Sequence, residues 1–274
     1  FAIDQWVMAG GATLIFVDPH AESQIGPRGQ PPADSSSDLQ KLFAAWGVRY
    51  DATKAVADPG FALQTERMIN GRPASMSNLP WVAIRDEGLR KDDAILAQLS
   101  AMVLTTAGSF ESAKAGVSLR PLVTASKKAG LLPAEQLKDR TADLRALLVK
   151  IEPPATPPVI AARLSGTLES AFPKAPEGVT PKGDVLTRNS KPANVILVGD
   201  ADMLMDRTWV QRRNLLGSEV AQAFANNGDF VVNAIEQMAG GVALADLRGR
   251  GVSWRPFELI QRKEQEANER YRAK

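Results

Sequence analysis

The chain has 274 residues, 44% of them hydrophobic, which is enough to bury a large core as one domain or two modest ones and excludes a disordered whole. Its 33 basic and 31 acidic residues leave a net charge of +2 with no clustered stripe of Lys and Arg, so a nucleic-acid partner is not expected. With no cysteine and one histidine, His20, thiol catalysis, disulfides and Cys-containing zinc sites are excluded, and a Ser-His-Asp triad has only His20 to use.

Residues 3–8 carry Ile3, Trp6 and Val7 at helical spacing, and Gly10-Gly11 ends that helix. Residues 12–17 form a continuous apolar strand, followed over 22–37 by a long Pro-, Gly- and Ser-rich loop. Asp38 stands where it can cap a helix carrying Leu39, Leu42, Phe43 and Trp46, which Gly47 closes. Residues 48–50, 54–57, 81–84, 102–106, 119–124 and 159–164 read as strands, with a helix expected from Asp92 or Asp93 to Leu99 and another within 133–150. Four prolines make 151–158 a connector. Residues 194–198 are a second apolar strand, and 226–238 a helix. Residues 257–274 alternate charges around a thin apolar line at Ile260, Ala267 and Tyr271.

Helix, double glycine and buried strand make an αβ unit, so the expected fold is α/β, a Rossmann-like, mostly parallel sheet flanked by helices. Residues 1–58 and 190–245 are expected to form a discontinuous core, 59–189 an inserted α+β lobe with Pro-rich connectors, and 246–274 a turn plus a stalk-like helix. No apolar run approaches the roughly 18–20 residues of a membrane span. The abrupt helical start and finish suggest a piece of a longer protein whose membrane anchors lie outside it.

In open α/β sheets ligands gather beyond the carboxyl ends of strands, where this sequence places Asp18 and His20 after the first strand and Asp200 and Asp202 after the later one. Asp200 and Asp202, with Asp206, are weak candidates for a hard divalent cation; the competing reading has them bonding loop amides. Asn226 and Asp229 belong to a turn and N-cap ahead of the apolar stripe of residues 230–238, where Asp229 can accept helix N–H bonds or an anion can sit. Arg248 and Arg250 flank Gly249 and can grip a phosphate or carboxylate, although the stretch is too short for a phosphate loop. No cofactor is expected.

Residues 2–11, 14–19, 44–48, 161–166, 190–195, 224–230 and 247–251 together resemble the auxiliary component of ABC transport systems of the gliding-motility (GldG-like) type. The resemblance runs over nearly the whole chain. It implies a non-enzymatic extracytoplasmic (periplasmic) domain that binds a ligand or partner beside an ABC-2-type permease and a separate ATPase subunit, with a homodimer left open. It also implies kinship with the class I glutamine-amidotransferase-like fold and its intraflagellar-transport relative, without amidotransferase chemistry, for which the Cys is missing. No catalytic residue carries over. The alternative is a metal-dependent hydrolase or carbohydrate-binding enzyme using Asp200, Asp202 and His20.

Overall fold

The computed structural model describes residues 1–24, 32, 34–69, 72–137, 144–215 and 218–240. Helix α1 (Ala2–Met8) stops as the double glycine dictates: Gly10, at φ 84°, donates its N–H to Val7 O, and Gly11 donates to Trp6 O at 2.8 Å. These two bonds satisfy the last carbonyls of the helix and need a residue free to turn left-handed. The chain then enters β1 (Thr13–Phe16) and later α2 (Gln40–Trp46), closed by Gly47 at φ 72°. Asp38 makes no capping bond to α2, whose N-cap position is Leu39.

The remaining elements follow in order: β2 (Val48–Tyr50), β3 (Lys54–Ala57), β4 (Ala62–Ile69), β5 (Arg72–Arg85), β6 (Ala101–Thr105), β7 (Phe110–Ser112), β8 (Val117–Thr124), β9 (Gly130–Pro133), α3 (Ala134–Leu137), α4 (Leu144–Val149), β10 (Val159–Gly166), β11 (Val195–Val198), α5 (Asp206–Trp209), β12 (Val210–Leu215), β13 (Ser218–Ala223) and α6 (Asn227–Met238). The largest sheet runs β1-β11-β10-β7-β2, with β8 also pairing β10. Two long hairpins, β4–β5 and β12–β13, were not expected from the sequence.

The expected mostly parallel, Rossmann-like sheet is corrected here. Among the described residues only β1 and β11 run parallel, from Thr13 opposite Val195 to Phe16 opposite Val198, while β10 pairs antiparallel with β11, β8 and β7, and β7 with β2. An uninterrupted apolar run reports burial on both faces, and helices supply that burial here whatever the strand direction. In β11, Ile196 and Val198 join a core with Phe230 and Ala234 of α6, while Val195 and Leu197 join a second core with Val7 and Met8 of α1 and Leu42, Phe43 and Trp46 of α2. The fold is a mixed α/β layer structure.

The helix expected over 92–99 is absent. Residues 91–98 form successive turns, because the buried Asp93 carboxylate accepts the Ile95 N–H at 3.1 Å and pairs with Arg163 at 3.3 Å. A side chain that bonds its own neighbouring amide competes with helix formation. No helix among the described residues is long and apolar enough to cross a membrane.

Candidate functional site

The parallel pairing of β1 and β11 delivers Asp18 and Asp200 to one edge of the sheet, each two residues past the paired Phe16 and Val198. Both are fully buried, and Asp202 is nearly so. The chain leaving β6 closes the third side: Gly108 N–H donates to Gly199 O at 2.7 Å, and Thr105 N–H donates to Asp200 Oδ2 at 2.6 Å. Gly199 permits this approach, since a Cβ there would lie 2.4 Å from Gly108 O. Tyr50 covers Gly108, where an added Cβ would meet the ring at 2.6 Å.

Each acid is held by N–H donors. Asp18 accepts from His20 N–H at 2.8 Å and Ala201 N–H at 2.9 Å. Asp202 accepts the backbone N–H groups of Glu22 and Ser23 together with the Ser23 hydroxyl. Burial pushes the Asp18 carboxyl up to about 7, against the lowering effect of those two amides. Burial and then the neighbouring Asp18 raise Asp200 well above the carboxylate range, and burial followed by the Asp18 charge raises the Tyr50 phenol. Among the described residues Asp200 Oδ1, Thr105 Oγ1, Tyr50 OH and Asp38 Oδ1 are buried without a hydrogen-bond partner. Burial therefore favours the neutral forms of Asp18 and Asp200.

Thr106 follows at φ 51°, a left-handed conformation that is strained for a β-branched residue and common at functional sites. Its hydroxyl donates to Glu22 Oε1 at 3.0 Å. The same carboxylate accepts Trp81 Nε1–H at 2.8 Å and the Arg207 guanidinium at 2.9 Å, and Arg207 packs 5.3 Å from the Trp81 ring centre. Residues 18–24 thus lie as a strap across the strand ends, fastened again where Ser37 N–H donates to Asp18 O at 2.7 Å.

Of the residues expected at a site, the structure brings Asp18, His20, Asp200 and Asp202 together. His20 Nδ1 sits 2.7 Å from the buried Ser35 hydroxyl, but Asp18 meets His20 through the backbone N–H and not the ring, so no triad forms. Asp206 points away to an exposed ion pair with Arg212 at 2.6 Å. Among the described residues no group of three or more His, Asp or Glu side chains is arranged to hold a metal ion, and the metal-dependent alternative finds no support. Asn226 and Asp229 bond each other at 2.8 Å, and Asn226 Oδ1 accepts the Ser100 and Ala101 N–H groups. Asp229 is therefore not seen capping the helix amides, and the N-cap residue Asn226 makes no side-chain cap bond. Arg248 and Arg250, with the terminal stretch 257–274, lie outside the described residues.

Glu22, Tyr50, Trp81, Thr105, Thr106 and Arg207 were not foreseen. They come from distant parts of the sequence: strand pairing places Tyr50, Trp81 and Thr105, while the strap, the bend after β6 and α5 bring in Glu22, Thr106 and Arg207.

A family model described as an ABC-type uncharacterized transport system matches residues 1–234. The chain belongs to this family. It is an auxiliary component of an ABC-type transport system, in line with the resemblance carried by the sequence strings. No curated protein and no solved structure matches it.

Proposed function

We propose that the chain is a non-enzymatic, extracytoplasmic accessory domain of a membrane ABC-2-type transport system of the gliding-motility (GldG-like) kind, binding a ligand or partner beside a permease and a separate ATPase. The observation that carries this reading is the family match across residues 1–234. The chemistry of the strand ends supports it. The acids there are held by backbone amides, His20 is turned to Ser35, and no phosphate-loop sequence is present, so nucleotide hydrolysis falls to another subunit. Attachment to the membrane is proposed to run through segments flanking this sequence.

The test is affinity purification of the natural full-length protein from detergent-solubilised membranes, with protease accessibility in spheroplasts. We expect an ABC permease and ATPase to co-purify and the domain to be cut from outside. Recovery from the cytosol without either subunit would remove the proposal.

A further inference from the structure

We propose that Trp81, Thr106 and Arg207 form a carboxylate-recognition site that Glu22 fills from within the chain, and that together with Asp202 they bind an acidic peptide segment of a neighbouring protein. The three donors come from β5, the bend after β6 and α5, and converge on one carboxylate at 2.8, 3.0 and 2.9 Å. An indole N–H, a hydroxyl and a guanidinium have no acceptor role in common; a carboxylate is the group that suits all three. The Glu22 side chain is only 13% exposed, whereas its Arg207 partner is 44% exposed, so the indole and hydroxyl bonds are the sheltered ones and the ion pair faces water.

The hydroxyl is supplied by a residue in a strained backbone conformation, which is retained where the surrounding structure enforces it. Main-chain groups are read as well as the side chain, since Asp202 accepts the N–H groups of Glu22 and Ser23 and the Ser23 hydroxyl. One carboxylate recognising the backbone while three donors recognise the side chain is a way of selecting a peptide over a lone anion.

The strap is held by scattered bonds and not by a continuous ladder: beside the isolated Asp18–Ser37 bridge, Ala21 N–H donates to Ser35 O at 3.1 Å, Gln24 N–H to Ala21 O, and the amides of His20, Glu22 and Ser23 to the Asp18 and Asp202 carboxylates. Such a contact can be exchanged. A short tether gives Glu22 an effective concentration of about millimolar at its own site, so an outside peptide meets strong competition until Glu22 is removed.

The experiment uses the full 274-residue chain and a blocked peptide with the sequence of residues 20–24, His-Ala-Glu-Ser-Gln. By calorimetric titration, the Glu22→Ala variant is expected to bind this peptide at least about tenfold more tightly than the wild type, where the tethered residue competes. A peptide with Gln in place of Glu is expected to lose at least about tenfold, as is the double variant Glu22→Ala, Arg207→Ala. Equal binding of both peptides, or no gain in a Glu22→Ala protein that still melts cooperatively, overturns the proposal. Glu22→Gln repeats the test with the bulk retained. If neither variant melts cooperatively, the strap is a structural clamp and the proposal falls. The transport reading enters only in naming a neighbouring subunit as the source of the peptide; the titration can fail while co-purification succeeds, and the reverse.

Discussion

Asp18 ties acid chemistry to stability. Its carboxyl sits near 3.8 in an unfolded chain and at about 7 when folded, so the folded state binds more protons between those values. The stabilisation is complete below about pH 4, is lost as pH rises through 7, and changes little above that; Asp200 is shifted in the same direction. Urea titrations at roughly pH 5 and pH 8 are expected to show the wild type more stable at the lower pH. Asp18→Asn is expected to flatten much of that slope, leaving the part due to Asp200. An unchanged slope in the variant would mean that Asp18 is not the group responsible. Asp18, His20, Asp200 and Asp202 were legible in the sequence because each follows an apolar strand by a residue or a few. Glu22 was not, because nothing local marks a glutamate in a polar loop as buried against Trp81, Thr106 and Arg207.

Elements with strong periodicity were the readable ones. Helix α6 was expected from its apolar stripe, and Phe230 and Ala234 are indeed buried, but Ile235 of the same stripe is 55% exposed. Its position is fixed by a residue the periodicity does not include. Asn227 donates its amide N–H groups to Val103 O and Met203 O, both at 2.6 Å, and its Oδ1 accepts the Val103 N–H at 3.0 Å. Asn227→Ala is expected to cost about 2–4 kcal/mol, since it removes the side-chain partner of the Val103 carbonyl and amide and leaves Met203 O with the Thr208 hydroxyl alone. Asn227→Asp is expected to be worse, because a second acceptor then faces those carbonyls in a buried place. Chemical denaturation measures both, and an Asp variant more stable than the Ala variant would show that the amide donors are not what holds α6. The turns at 91–98 taught the opposite lesson. There a helix was expected from Asp92 or Asp93 to Leu99; Ile95, Leu96 and Leu99 are buried, but Asp93 bonds locally and the segment turns instead.

For the whole unit, composition and apolar runs gave the α/β class and the two buried strands, while strand direction was beyond them. Direction is decided by which partner lies alongside, and β10 from the middle of the chain took the place expected of a parallel neighbour. Pairing also sets a gradient of local stability. Among the described residues β12 and β13 pair only with each other, whereas β11 is bonded on both sides and buried on both faces. A two-stranded ribbon is marginal alone, so amide exchange is expected to be fastest in β12–β13 and slowest in β10–β11. Protection in the ribbon equal to that of β11 would show that something covers it.

The order in which the chain is made gives the β1–β11 ladder a further meaning. A ribosome releases α1 and β1 well before β11, yet Thr13 has no ladder partner until Val195 emerges. Between those moments Ile15 can pack against Val7, Met8 and Trp46, but the backbone of β1 has no ladder to join, and a chain stopped before Val195 leaves it without one. Closing the sheet therefore waits on a long-range contact, and β1 depends on a strand made much later in the chain.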